Sequence, residues 1–145
     1  MEHNLIDLDN LTNYKPNLIL LEKIIKDFSS SDIELIICKD DYIKEINYQY
    51  RGKDTPTDVL SFPFENDFNL DNIPLGSIII SLDFVVKKAV ELKHSEDDEF
   101  VLLFIHGLLH LLGFDHEIDN GEHRKKEEDI VKKYNLPKSL IVRNN

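Results

Sequence analysis

"FVLLFIHGLLHLLGFDH", residues 100–116, is the stretch whose reading decides the fold. Between Phe100 and Leu112 the only polar side chains are His106 and His110. A helix that is apolar all round is buried, so this segment reads as a buried helix. A buried imidazole needs a partner. Two of them at i and i+4 project from one helix face, one turn apart. A shared metal ion satisfies both at once. Gly113 can take the left-handed conformation that ends the helix. The chain can then turn back so that His116 supplies a third ligand.

The other reading is two core histidines with backbone partners and one surface histidine. The glycine turn and the third histidine favour the metal. The spacing is that of the zinc-metalloprotease pattern H-E-x-x-H-x-x-G-x-x-H, except that Gly107 stands where the catalytic glutamate would be. Neutral imidazoles favour Zn²⁺, with another divalent ion such as Ni²⁺ as the alternative. Three protein ligands leave a position for water or substrate, the arrangement of a catalytic zinc. Such an ion lowers the pKa of its water to about 7, so hydrolysis does not require a carboxylate base. Gly107 is expected to leave the space above the metal open. Asp115, beside His116, either orients a ligand histidine or serves only the loop. His123, in "HRKK", reads as part of a solvated face. His3 and His94 carry no recognisable pattern.

Working outward, "NLIDL" (4–8) alternates as a short strand. Pro16 fits the first turn of a helix running to about Phe28, with Leu18, Leu21, Ile24 and Ile25 on one face. "SSSD" (29–32) breaks it. "IELIIC" (33–38) is a strand that buries Cys38. Asp40 or Asp41 can cap a helix through "YIKEINYQY". "TDVLSF" (57–62), bracketed by Pro56 and Pro63, is a strand at a sheet edge. "ENDFNLDN" (65–72) is a polar loop and "GSIIISL" (76–82) a strand. Asp83 can cap a helix through Lys93. Ser95 and Asp98 resemble a capping box for the histidine helix. A last helix spans about 120–134, before Pro137. The order β-α-β-α-β-β-α-α-α gives a mixed α/β fold, a small mixed sheet packed with helices, as one domain over residues 1–145.

The chain has 145 residues, 41% hydrophobic and 31% charged, a soluble balance with one core. The acidic N-terminus is not a secretory signal, and "VLLFI" (101–105) is too short to span a membrane. One cysteine cannot form an internal disulfide, which favours the cytoplasm. The formal net charge of −11 repels nucleic acid in general. An RNA-directed function therefore needs a local basic groove or a basic protein partner.

"YRGKDTPTDVLSFPFE" (50–65) places Arg51 and Lys53 at a glycine turn before the edge strand. Arg51 can grip phosphate bidentately, or it can be a surface cation beside a core strand. An edge strand beside a metal can also present its backbone to an extended substrate. This motif, followed by "PLGSIIIS", by His94-Ser95 and by "HGLLHLLGFDHE", resembles the YbeY endoribonuclease family of bacterial rRNA maturation factors. The likeness covers about residues 33–134. It implies an α/β fold with a zinc-bearing helix and a single-strand-specific, metal-dependent endoribonuclease. The implied roles are 16S 3′-end maturation and ribosome quality control, with rRNA and the ribosome or its proteins as partners. His106, His110 and His116 take the positions of the family's metal ligands and Arg51 that of its functional arginine; Lys53 is a further candidate for substrate binding. Ser77 departs from the family, which commonly has an aspartate after the "LG" glycine. A metallopeptidase-like hydrolase lacks its glutamate here. A non-catalytic zinc-containing ribosome-assembly protein is the remaining alternative.

Overall fold

The computed structural model describes residues 5–65 and 73–140. Nine elements follow the expected order: β1 (Ile6–Asn10), α1 (Leu18–Lys26), β2 (Ile33–Cys38), α2 (Asp40–Arg51), β3 (Val59–Pro63), β4 (Gly76–Ser81), α3 (Leu82–Leu92), α4 (Glu96–Leu111) and α5 (Glu122–Lys133). The strands form one sheet in the order β1-β2-β4-β3. β1, β2 and β4 run parallel, and β3 is an antiparallel edge strand, so the sheet is mixed. Proline tolerates an edge, and Pro63 is the last residue of β3.

The pleat divides the core in two. Ile33, Leu35, Ile37, Ile78 and Ile80 face α1 and α4 in the larger cluster, with Phe100, Phe104 and Leu108. Cys38, Leu60 and Ile79 face Ile43 of α2 on the other side. Every residue of β4 is buried, as a strand covered on both faces requires. Cys38 is fully buried, and desolvation, followed by the nearby Asp40 carboxylate, pushes its thiol up to about 12.

α4 is buried from Glu99 to Leu111 except at His106 and His110. Ser95 caps it, its hydroxyl accepting the Asp98 N–H at 3.0 Å. Gly113 ends it with φ +99° and donates to the His110 carbonyl at 3.0 Å. Gly107 has a second role besides the one its sequence position suggested. A Cβ there would meet Ile78 Cγ2 at 3.1 Å. The missing side chain lets α4 approach β4 and does not simply clear space above the histidines.

Several boundaries differ from the sequence reading. β1 begins at Ile6; residues 1–4, including His3, lie outside the described set, as do residues 66–72 of the expected polar loop. Asn17, not Pro16, starts α1, because its side chain accepts the Leu20 N–H at 3.2 Å. Asp40 and Asp83 do not cap their own helices. β2 and β4 end side by side, with Cys38 paired to Ser81, so α2 and α3 start together. Asp83 Oδ2 accepts the Asp40 N–H at 2.8 Å, and Ser81 Oγ donates to Asp40 Oδ1 at 2.8 Å. The start of α2 is thus capped from α3, while Asp40 holds the Ser81 side chain. α5 begins at Glu122 after Gly121.

Candidate metal centre

Two glycine turns far apart in the sequence, at Gly52 and Gly113, feed one cavity. Gly52 (φ +69°) stops α2 immediately after Arg51 and leaves that guanidinium exposed at the helix C-terminus, where a cation is favoured. Gly113 stops α4 just after His110 and sends residues 114–121 back over it. Between them lies a cavity of about 530 Å³, lined by Arg51, β3, His106, His110, Asp115 and His116, among others. The sequence-predicted ligands and the predicted arginine therefore share one space. Lys53, exposed two residues beyond Arg51, is not part of that lining.

His123 departs from expectation. It is fully buried, not part of a solvated face. The buried positions of α5 are His123, Glu127, Ile130 and Val131, an i, i+4, i+7, i+8 stripe. That stripe was the available signal: the apolar pair continues at helical spacing into a histidine and a glutamate. It turns His123 inward beside α4. His106, His110 and His123 each offer a donor nitrogen, and the three lie within 4.8 Å of one another. His116 stays exposed on the loop, its ring centroid 5.3 Å from those of His106 and His123.

Glu127 is the carboxylate the sequence reading missed. Buried behind the rings, its Oε2 lies 3.0 Å from His106 Nδ1 and 3.5 Å from His123 Nε2. The shorter contact fixes the proton of His106 on Nδ1 and leaves Nε2 free to ligate, the usual arrangement of a carboxylate behind a metal-binding imidazole. Asp115, proposed for such a role, accepts the Glu117 N–H with its Oδ1 at 3.0 Å and lines the cavity. A second histidine–carboxylate pair, half-buried His94 Nε2 to buried Glu99 Oε1 at 2.8 Å, stands at the start of α4. Ser77 donates to Glu34 Oε1 at 3.0 Å, so a carboxylate from β2 stands beside the serine.

The residues fit a cationic metal. Burial, then the neighbouring His106 and His123, push His110 down to about 4, against the opposing pull of Asp115. It is neutral near pH 7, with a lone pair to give. His123 Nε2 is buried without a hydrogen-bond partner among the described residues. Clustered imidazoles, one of them with an unsatisfied nitrogen, are a donor set for a borderline divalent ion.

No described helix is long and apolar enough to cross a membrane. A solution structure of a Thermotoga maritima protein superposes with a TM-score of 0.55 at 28% identity, covering 89% of this chain and 92% of that one. The chain is 59% identical over 141 residues to a protein of Aliarcobacter butzleri named "Endoribonuclease YbeY", covering 97% of this chain and 99% of the relative. It is 57% identical over 140 residues to a protein of the same name from Nautilia profundicola, covering 97% and 99%. The family model described as "Endoribonuclease YbeY" matches residues 7–135, and the chain belongs to that family.

Proposed function

We propose that this protein is a zinc-dependent endoribonuclease that cuts single-stranded RNA, with Ni²⁺ as the alternative ion. Its setting is rRNA processing in the cytoplasm, including 16S 3′-end maturation and ribosome quality control, with rRNA and the ribosome or its proteins as partners. The observation that carries this reading is the shared cavity, which has Arg51 on one wall and the histidine cluster on another. His106, His110 and His116 hold the ion. Once bound there, a divalent ion supplies Lewis acidity and acidified water near neutral pH. Arg51 grips a phosphate oxygen pair and stabilises the charge that develops on it during cleavage. Lys53, outside the cavity, is a point charge for a neighbouring phosphate. Glu127 keeps the His106 ring in its ligating orientation.

The net charge of −11 sets a constraint. Asp58, Asp115 and Glu117 also line the cavity, so RNA enters only where Arg51 and a cationic centre outweigh them. The position that holds a peptidase's glutamate is packed on Ile78, which weighs against peptide hydrolysis. The test is cleavage of a short single-stranded RNA by purified protein, with chelator and with His106→Ala as controls. Cleavage should stop in both and return on adding Zn²⁺ to the chelated wild type. Equal cleavage by wild type, chelated protein and His106→Ala would remove the metal from the chemistry.

A further inference from the structure

We infer that His123 is a fourth imidazole ligand of the same ion, so that this chain holds its metal with His106, His110, His116 and His123. The inference rests on the metal reading above and extends its ligand set. Three observations carry it.

The first is spacing. The six ring-centroid separations among the four histidines run from 4.9 Å to 6.1 Å. Four imidazoles disposed tetrahedrally about one ion, each nitrogen about 2.1 Å from it, have centroids roughly 5 Å apart. Packing on α5 alone does not require His123 to match the other three.

The second is satisfaction. His123 is fully buried, yet one of its ring nitrogens lacks a hydrogen bond among the described residues. Nδ1 accepts the His116 N–H at 3.2 Å, and Nε2 has no hydrogen-bond partner among the described residues. An unsatisfied buried polar atom carries a cost that needs a reason. Ligation through Nδ1, in place of the His116 N–H, would leave Nε2 to tighten onto Glu127, 3.5 Å away.

The third is the carboxylate. One Glu127 oxygen stands behind both His106 and His123, whose rings are stacked at 27°. A carboxylate behind an imidazole is what orients a ligating histidine. Here a single group serves two rings on facing helices. Zinc can expand to five ligands, so a fourth imidazole does not by itself close the site to substrate.

X-ray absorption at the zinc edge of the zinc-loaded wild type counts coordinated imidazoles without any substitution. Four are expected, and three in His123→Ala. Competition with a chromophoric chelator should show His123→Ala binding Zn²⁺ more than 100-fold more weakly, beyond the roughly 10–100-fold that losing a merely orienting partner costs. If the alanine variant does not fold, His123→Gln is loaded and counted instead, and the wild-type count still decides. Three imidazoles in the wild type, with zinc affinity in the His123 variants weakened by less than tenfold, would overturn the inference and leave the three-histidine reading standing. A wild type that takes up no zinc, cobalt or nickel would overturn both.

Discussion

Arg51 brings to the cavity what the histidines cannot, a planar, permanently charged fork. A lysine in its place keeps the charge but loses the paired donors. If the fork stabilises the transition state, Arg51→Lys should keep most RNA binding and lose cleavage rate. Losing one charge-assisted contact costs about 2–4 kcal/mol, or roughly 30- to 1000-fold. Zinc content should not change, because arginine is not a ligand. Single-turnover cleavage by metal-replete wild type and variant measures this, and equal rates would leave the metal without its proposed partner. Both Arg51 and the His106–His110 pair were legible in the sequence, because each sits at a strong local signal: a glycine turn, or polar residues alone in an apolar helix. His123 and Glu127 were not. They lie among the charges of "EHRKKEED", where local composition reads as solvated, and their helical spacing to Ile130 and Val131 is the one local signal of a buried face.

At the scale of elements, the site depends on how closely α4 lies against the sheet. Gly107 sets that distance through Ile78 on β4. Gly107→Glu has to push a long side chain into this contact. Overpacking of this kind costs about 1–3 kcal/mol, and an uncompensated buried carboxylate adds to it. The expected outcome is a lower thermal midpoint with no gain of peptidase activity. A variant as stable as wild type that hydrolyses peptides would show that the position is open and that the peptidase reading was discarded wrongly. Element order and the edge position of β3 were readable from periodicity and from Pro56 and Pro63. The helix starts were less so. Asp40 and Asp83 carry the right chemistry for caps, but the sheet register pairs Cys38 with Ser81, and Asp83 then caps the neighbouring α2 while Asp40 accepts the Ser81 hydroxyl. A cap supplied from another element leaves no local signature in sequence.

For the molecule as a whole, α5 must be held in place, since it brings Glu127 and His123 to α4. Its C-terminal end is clipped to α1. Asp27 accepts from Lys133 Nζ at 2.9 Å and from the Tyr134 hydroxyl at 2.7 Å. Burial pushes the Asp27 carboxyl up, but the Tyr134 and Lys133 hydrogen bonds outweigh it and leave the group below its ordinary value. Burial, then Asp27, push Tyr134 up to about 12. The signs follow by linkage. A carboxyl depressed in the folded state stabilises above its unfolded pKa, near 3.9, and that contribution is lost as pH falls through the folded value. A phenol raised in the folded state stabilises below its unfolded pKa, near 10, and loses that contribution as pH climbs toward the folded value. The clip is therefore whole between about pH 4 and pH 10. Asp27→Ala should cost about 1–2 kcal/mol near neutrality, the net worth of two partly exposed hydrogen bonds to a carboxylate, one of them from a cation. The gap between wild type and variant should narrow below pH 3 and above pH 11. The large change in net charge across that range acts on both proteins, so the difference isolates the clip. Denaturant unfolding of the pair at pH 3, 7 and 11 measures it. A gap that stays constant across all three would mean that Asp27 acts through packing at the end of α1, and that α5 is held by α4 alone.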